Sequence, residues 1–325
     1  MVNVGMCVTY DVIAGQALRG VCTSLSTQGD CGIGLSVWIV VFSSAHLALA
    51  LLPDISSIAW VNALGALMTI GFSVLATIGA ALAGRGPDVV YSVQGSPADK
   101  AFNAFTSLGA ITLLYGNILL VETQSTLKAA PSAVPPMVRS VLLGYTIVAS
   151  LLLSCVISGY WAFGAAVQPF VLDSIGKPVW LVVTANFLVV VNSLAGYLMF
   201  AHCLFDYVDL KILMSHWTGL EFQGGFVVVL KRFSFRWFFV VTTAGLAVCL
   251  PFFQDLMGFL GAVGYCPLCF ILPCLMWLKT QQALRWYEIA ACWGIIVAFV
   301  FVGLTAAIGS IRSLVVHAST YEFFT

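Results

Sequence analysis

Polar side chains interrupt several apolar stretches of this sequence, and they are the residues that could do chemistry. Positions 111–127 read ITLLYGNILLVETQSTL, with Tyr115, Gly116 and Asn117 inside an apolar run and Glu122 at its end. Glycine and asparagine tolerate irregular backbone conformations. A helix unwound here would expose N–H and C=O groups to a ligand, and the following half-helix would offer its N–H groups to a carboxylate. The alternative is a glycine for close helix packing and an asparagine bonded to a neighbouring helix.

Glu122 is open to two interpretations. A carboxylate in a buried setting can accept a proton that is coupled to another event. The same side chain could equally pair with Lys128 or cap a helix at the edge of the apolar run. The pattern does not separate these roles.

Other polar residues sit in apolar segments further along the chain. The first segment contains Tyr10 and Asp11; Asp11 could be functional, although a structural role is the stronger interpretation. A later segment contains Asn186 and Ser193, which share one helical face, and interhelical hydrogen bonds are the simpler explanation for them. No spacing of histidines or cysteines indicates a metal, a cofactor or a catalytic nucleophile, since Cys266-x-x-Cys269 lies alone in an apolar segment.

The composition identifies the environment in which these residues must be positioned. The chain has 325 residues, of which 61% are hydrophobic and 8% charged, and its mean hydropathy is +1.04. Soluble proteins carry roughly 25% charged residues. So few charges indicate a polytopic membrane protein in a lipid bilayer. The 13 basic and 13 acidic residues balance, which argues against a nucleic-acid partner.

Nine apolar segments are long enough to cross a bilayer. The seventh and eighth are separated only by Gln254 and Asp255, where a tight hairpin is expected. The nine predicted spans are Met1–Leu18, Gly34–Leu52, Ile58–Leu82, Phe102–Val121, Met137–Phe163, Val179–Phe205, Trp237–Phe253, Leu256–Leu278 and Tyr287–Ile308.

Basic residues between the spans predict the orientation. With Met1 in the cytoplasm and the C-terminus outside, eight lysines and arginines fall on the inner side and five on the outer side, which agrees with the positive-inside rule. This orientation places Cys22 and Cys31 in a short outer loop. A disulfide persists in that compartment.

Long blocks of the sequence resemble the amino acid/auxin permease family. The similarity is carried by YGNILLVETQSTLKAAP at 115–131, by GYWAFG at 159–164, by YSVQGSPADKAF at 91–102 and by PFFQDLMGFLGAVG at 251–264. The family shows Glu-Ile-Gln-Ala-Thr after its broken sixth helix, where this chain has Glu-Thr-Gln-Ser-Thr. The proline, GABA and lysine/histidine branches are the most similar.

The resemblance implies a leucine-transporter-type, inverted-repeat bundle that is all-α and lies in the membrane. It implies that Tyr115, Gly116 and Asn117 belong to a substrate-binding turn, with Tyr10 as a side wall or lid. Glu122 would couple or gate proton movement, and Asn186 and Ser193 would lie near the ion-coupling region. Cys22 and Cys31 match a cysteine pair that is frequent in the family.

The resemblance also implies a single permease domain over residues 1–325, corresponding to the family's third to eleventh helices. Its first two helices have no counterpart, so we expect an N-terminally truncated form that does not transport by itself. Uptake by this chain alone would contradict that expectation.

The function expected from these residues and blocks is proton-coupled transport of a neutral amino acid of the proline or GABA type. The expected location is the plasma membrane. No cofactor, nucleic acid or obligate protein partner is expected. A non-transporting amino acid sensor or an inactive paralogue on the same fold is the alternative. A membrane enzyme lacks a converging catalytic set, and a channel fits a broken helix less well than a transporter.

Overall fold

The computed structural model of the chain is all-helical over the part that it describes, and no strand occurs within that part. The described residues are 2–26, 31–49, 55–86, 89–92, 95–116, 124, 134–217, 225–249, 253–280 and 285–320.

Ten α-helices and one π-helix make up the described structure. They are α1 (Val2–Leu25), α2 (Leu35–Leu49), α3 (Ile55–Ala83), α4 (Pro97–Tyr115), α5 (Val134–Phe163), α6 (Val179–Trp217), α7 (Gly225–Cys249), α8 (Phe253–Leu260), the π-helix (Gly261–Ile271), α9 (Leu272–Thr280) and α10 (Trp286–Thr320). Two short 3₁₀ turns, Gly164–Ala166 and Val171–Ser174, lie between α5 and α6.

Five helical stretches of the described residues are long and apolar enough to cross a membrane. They are Ala63–Ala83, Val134–Ala166, Val179–Asp209, Asp255–Thr280 and Trp286–Val316. Two shorter apolar helices, Leu35–Leu47 and Phe233–Cys249, accompany them. Length and composition therefore support a protein with several membrane-spanning helices.

The join between the seventh and eighth predicted spans lies earlier than predicted, between Cys249 at the end of α7 and Phe253 at the start of α8, and residues 250–252 lie outside the described residues. Gln254 and Asp255 lie in the first turn of α8, which begins at Phe253. An acidic residue is favourable there because the N-terminus of a helix carries partial positive charge. The sixth span is also longer than predicted, since α6 continues past Phe205 to Trp217.

Contacts along α6 define the directions of two neighbouring helices. On α1, Tyr10 lies against Gly196 and Gly20 lies against Asn186, so α1 and α6 run antiparallel. On α3, Gly65 lies against Ala195 and Gly79 against Leu181, so α3 is antiparallel to α6 as well. Glycines at these contacts let the helices approach closely, as is usual in membranes.

A second group of helices packs around α4. Gly109 of α4 lies against Gly258 of α8 and Ala306 of α10, and Gly309 of α10 lies against Phe102. These contacts make α4 antiparallel to α10. A Cβ atom at Gly261, the first residue of the π-helix, would overlap the carbonyl oxygen of Gly109. Glycine is therefore required where α4 meets the π-helix.

The start of α4 shows how the sequence fixes a helix end. The Ser96 hydroxyl accepts a hydrogen bond from the N–H of Asp99 at 3.2 Å, and Pro97 occupies the first turn. Both are favourable at a helix N-terminus. Asp99 also pairs with Arg312 of α10 at 2.7 Å, which ties the two helices together at this end.

The main apolar core surrounds α1. Residues of α1, α6, α7, α8 and the π-helix pack together there, and Cys7, Val12, Tyr197, Phe205 and Val240 are almost fully buried. In contrast, α5 exposes most of its side chains. Leu113 of α4 belongs to the same core as the residues of α1, whereas α5 lies at the edge of the bundle.

Candidate functional site

Helix α4 ends at Tyr115, where the sequence predicts an interruption. Gly116 is extended, with φ −75° and ψ 139°, and its N–H donates to the carbonyl of Thr112 at 2.9 Å. The carbonyl of Tyr115 accepts a hydrogen bond from the Tyr145 hydroxyl of α5 at 2.8 Å. A neighbouring helix thus supplies a partner to a carbonyl that a helix terminus leaves without one.

Gly116 lies directly on the π-helix. A Cβ atom at this position would overlap the aromatic ring of Tyr265, which is 3% exposed. The end of α4 and the π-helix, two irregular pieces of backbone, therefore touch at Gly116 and Tyr265. π-Helical turns are rare and are frequent at functional sites.

Tyr10 approaches this contact from α1. Its ring lies against Gly196, and its centroid is 6.0 Å from that of Phe200, both on α6. Tyr10 packs against the same apolar core cluster that contains Tyr265. The structure therefore brings Tyr10 and Gly116 to one core, with Tyr265 as the residue that contacts the glycine.

Asn117 and Glu122 lie outside the described residues. Tyr115, Gly116 and Tyr10 are the predicted substrate-binding residues that the structure describes. Tyr115 is half-buried, and its interaction with α5 runs through its backbone carbonyl.

Asn186 and Ser193 are both buried on α6. The Asn186 amide donates to the Val182 carbonyl at 2.9 Å, whereas its Oδ1 and the Ser193 hydroxyl have no hydrogen-bond partner within the described residues. Gly196, beside Tyr10, lies ten residues after Asn186, which is about 15 Å along a helix. The structure thus places Asn186 well away from the Tyr10 contact.

Asn186 lines a cavity of about 580 Å³ at the end of α1. Gln16 and Arg19 of α1 line it as well, together with Asp173 from the turn before α6. The Oε1 of Gln16 has no hydrogen-bond partner in the described structure. This cavity offers both charges and unpaired oxygens next to Asn186.

Cys22 and Cys31 are joined by a disulfide, with their Cα atoms 5.9 Å apart. The bond links the end of α1 to the segment that precedes α2. Cys266 and Cys269 form no disulfide, and no group of three or more His, Cys, Asp or Glu among the described residues could hold a metal ion.

Two buried polar residues, Asp11 and His46, were not predicted as site residues. Asp11 of α1 and His46 of α2 are both 0% exposed, although the sequence favours a structural role for Asp11 and shows no metal-ligand spacing at His46. α1 and α2, which carry Asp11 and His46, pack as antiparallel neighbours. The Ser43 hydroxyl of α2 donates a hydrogen bond to Asp11 at 3.1 Å. The sequence shows each of them as a polar residue in an apolar segment. It does not show their contacts, because the residues that they contact lie on other segments.

Comparisons with known proteins place the chain among transporters. A family model described as transmembrane amino acid transporter protein matches residues 1–316. Lysine histidine transporter-like 1 of Arabidopsis thaliana is 33% identical over 100% of this chain and 71% of its own length. GABA transporter 1 of the same plant is 26% identical over 98% of this chain and 72% of its own length.

Amino acid permease 2 of Arabidopsis thaliana is 25% identical over 98% of this chain and 70% of its own length. No solved structure matches the chain. The relatives are transporters and permeases rather than enzymes. Together with the apolar helices of membrane-spanning type, these matches show that the chain belongs to the transmembrane amino acid transporter family.

Proposed function

We propose that the protein is a proton-coupled secondary transporter of neutral amino acids or related compounds of the proline or GABA type. The observation that carries the proposal is the end of α4 at Gly116 inside the bundle, against the π-helix. Backbone groups freed at such an end can bind the carboxylate and ammonium of an amino acid. Tyr115, Gly116, Asn117 and Tyr10 would form the site.

The proposal includes a coupling or gating role for Glu122, Asn186 and Ser193. The Oδ1 of Asn186 and the hydroxyl of Ser193 are buried and lack a hydrogen-bond partner within the described residues, which supports a polar function for this side of α6. Burying polar groups without partners costs free energy, which a bound ion or substrate could offset.

We further propose one domain over residues 1–325 with a leucine-transporter-type arrangement of nine membrane spans. Antiparallel contacts between α1 and α6, between α3 and α6, and between α4 and α10 support helices that cross in alternating directions. The placement of basic residues supports a cytoplasmic Met1 end and an extracellular C-terminus in the plasma membrane.

Uptake by cells that lack their own amino acid permeases tests the function. The chain is expressed by itself and, in parallel, preceded by the two helices that the resemblance expects before Met1. We expect at least one of them to take up labelled proline or GABA at acidic external pH, with competition by neutral amino acids and little competition by lysine. Strong competition by lysine would contradict the neutral class.

An amino acid sensor on the same fold is the alternative. Ligand binding separates it from a transporter, because a bound amino acid raises the melting temperature of either protein. Stabilisation by proline or GABA without uptake in any form of the chain would favour the sensor. Uptake that a protonophore does not reduce would contradict proton coupling.

A further inference from the structure

A group of buried polar side chains lies where α1, α2, α6 and α7 meet. Asp11 comes from α1, Ser43 and His46 from α2, Tyr197 from α6 and Thr243 from α7; we refer to these five residues as the Asp11 cluster. All of them are 3% exposed or less. The surrounding core is otherwise apolar, and it includes Val12, Ile39 and Val240.

Contacts join the members of the Asp11 cluster. The Ser43 hydroxyl donates to Oδ1 of Asp11 at 3.1 Å, and the hydroxyls of Tyr197 and Thr243 are 2.9 Å apart. The imidazole of His46 stacks on the ring of Tyr197, with centroids 3.7 Å apart and planes inclined by 18°. Thr243 also lies close to the Asp11 carboxyl. The cluster is therefore one continuous group.

Three polar atoms of the cluster have no hydrogen-bond partner within the described residues. They are Oδ2 of Asp11 and both ring nitrogens of His46. Burying an ionised carboxylate without a cation costs several kcal/mol. Arg236 pairs with Asp209 and Arg312 with Asp99, so neither of these two arginines neutralises Asp11. Protonation would neutralise this carboxylate without requiring a cation.

The hydroxyl of Ser43 can serve both protonation states of Asp11. Two acceptors lie within its reach, the Ile39 carbonyl at 2.9 Å and Asp11 Oδ1 at 3.1 Å. When Asp11 is ionised, Ser43 donates to the carboxylate. When Asp11 is protonated, it can donate to Ser43, whose own proton then turns to Ile39.

The Tyr197 and Thr243 hydroxyls have the same freedom. Either can be the donor in the bond between them, and Thr243 can alternatively donate to the Val240 carbonyl at 3.0 Å. Rotating two hydroxyl groups therefore accommodates a proton without displacing any heavy atom. Such preorganised networks are strong because the surroundings have a low dielectric constant.

Other titratable groups face the cluster from the packed helices. Cys7 of α1 and Cys203 of α6 are thiols near it, and His46 and Tyr197 belong to it. On α7, Arg236 is held by Asp209. On α8, Asp255 accepts a hydrogen bond from Ser313 of α10 at 2.7 Å. Among the five residues of the Asp11 cluster, Asp11 is the one that carries a carboxyl group.

We propose that Asp11 is a proton-binding site of the transport cycle, with Ser43 as the hydroxyl that positions the proton. This inference rests on the proposed proton-coupled function and identifies a coupling group beyond Glu122, Asn186 and Ser193. Its carboxyl gains a proton from one side of the membrane and releases it to the other side as substrate moves, and the O–H bond of the carboxyl is the bond that forms and breaks.

Infrared spectroscopy of the purified chain in lipid tests the site without measuring transport. A protonated carboxyl group gives a C=O stretching band that an ionised one lacks. We expect a band that is present near pH 6, where exposed carboxyl groups with a pKa of about 4 are ionised, and lost near pH 9. Asp11→Asn should remove the band. In Ser43→Ala it should remain but move to higher wavenumber, because the hydrogen-bonding partner of Asp11 is gone.

Glu288→Gln is the matched control, since Glu288 lies at the start of α10, where it accepts a hydrogen bond from the Arg285 N–H. It should leave the band unchanged. A band that survives Asp11→Asn, or one that does not change between the two pH values, would overturn the proposal. If Asp11→Asn does not fold, an unshifted band in Ser43→Ala would overturn it.

Uptake distinguishes failure of this inference from failure of the proposed function. In a coupled transporter, Asp11→Asn should abolish accumulation driven by a pH gradient and retain exchange of internal for external substrate. Wild-type uptake that ignores the gradient contradicts the proposed function even if the Asp11 band titrates. Gradient-driven uptake that is equal in wild type and Asp11→Asn contradicts the role of Asp11 alone.

Discussion

Gly116 has a backbone conformation that most residues can adopt, but its neighbour leaves no room for a side chain. Its φ of −75° and ψ of 139° lie in the polyproline region, so the conformation alone does not require glycine. The requirement comes from the ring of Tyr265. The sequence marks Gly116 as unusual, but only the structure identifies the residue on which it packs.

Gly116→Ala should destabilise the protein because the added methyl group overlaps Tyr265. We expect a loss of about 1–3 kcal/mol in the free energy of unfolding, as is typical of overpacking, measured by thermal unfolding in detergent. Gly144→Ala is the control, since a Cβ at Gly144 meets no atom within 4 Å. Equal melting temperatures for the two variants would contradict the Tyr265 contact.

The Tyr145 hydroxyl should matter to substrate uptake because it holds the carbonyl at the end of α4. Tyr145→Phe is expected to cost about 0.5–1.5 kcal/mol of stability and to weaken uptake. Tyr160→Phe removes a comparable bond to the carbonyl of Tyr91 at 2.7 Å, far from Gly116 in the sequence. It should lose similar stability with unchanged substrate affinity, and equal effects of both variants on affinity would count against the site.

Asp11 and His46 show why part of the site escapes prediction from sequence. Each stands alone in an apolar segment, and no spacing within its own helix indicates a partner. Their contacts come from Ser43, Tyr197 and Thr243, which only the packing of four helices brings together. Tyr115 and Gly116 were predictable because the irregularity that marks them is local.

At the scale of helices, the contact between α4 and the π-helix depends on paired glycines. Gly261→Ala would drive a Cβ into the carbonyl oxygen of Gly109, a backbone atom that cannot rotate away. We expect a loss of several kcal/mol, about 2–4, or failure to fold, measured as the yield of monodisperse protein. Gly245→Ala on α7 meets no atom within 4 Å and should behave like wild type; a normal yield for Gly261→Ala would refute this packing.

The pair between Asp99 and Arg312 should make the junction of α4 and α10 sensitive to acid. The Ser96 hydroxyl and the Arg312 guanidinium hold the pKa of Asp99 below its usual value. The stabilisation is therefore present above the unfolded-state pKa of about 3.9 and is lost as the pH falls through the lower folded-state pKa. Asp99→Asn should melt slightly below wild type at pH 7, and this difference should vanish at strongly acidic pH. A difference in melting temperature that is independent of pH would contradict the pairing.

Most helices could be predicted from apolar length, because a membrane span must satisfy its backbone within itself. The junction before α8 could not, since the apolar residues on both sides of Gln254 and Asp255 conceal the true helix start at Phe253. The π-helix was also not predicted. Its 11 residues are as apolar as their neighbours, and they include Pro267, which has no N–H to donate within the helix.

At the scale of the whole molecule, α1 lies between two groups of helices. It packs on α6 through Tyr10 and Gly20, and it reaches the π-helix through Val2, which lies against Gly264. The proposed substrate site at Gly116 and the Asp11 cluster therefore border the same helix. Tyr10 and Asp11 are neighbours in the sequence, so a shift of α1 would move both sites together.

Reconstitution into liposomes tests the central claim of proton-coupled amino acid transport most directly. Labelled proline or GABA is supplied outside, an inward pH gradient is imposed, and internal label and internal pH are followed together. The account predicts accumulation that requires the gradient, stops with a protonophore and acidifies the interior when substrate is added. Substrate entry with no dependence on the gradient and no accompanying proton movement would contradict it.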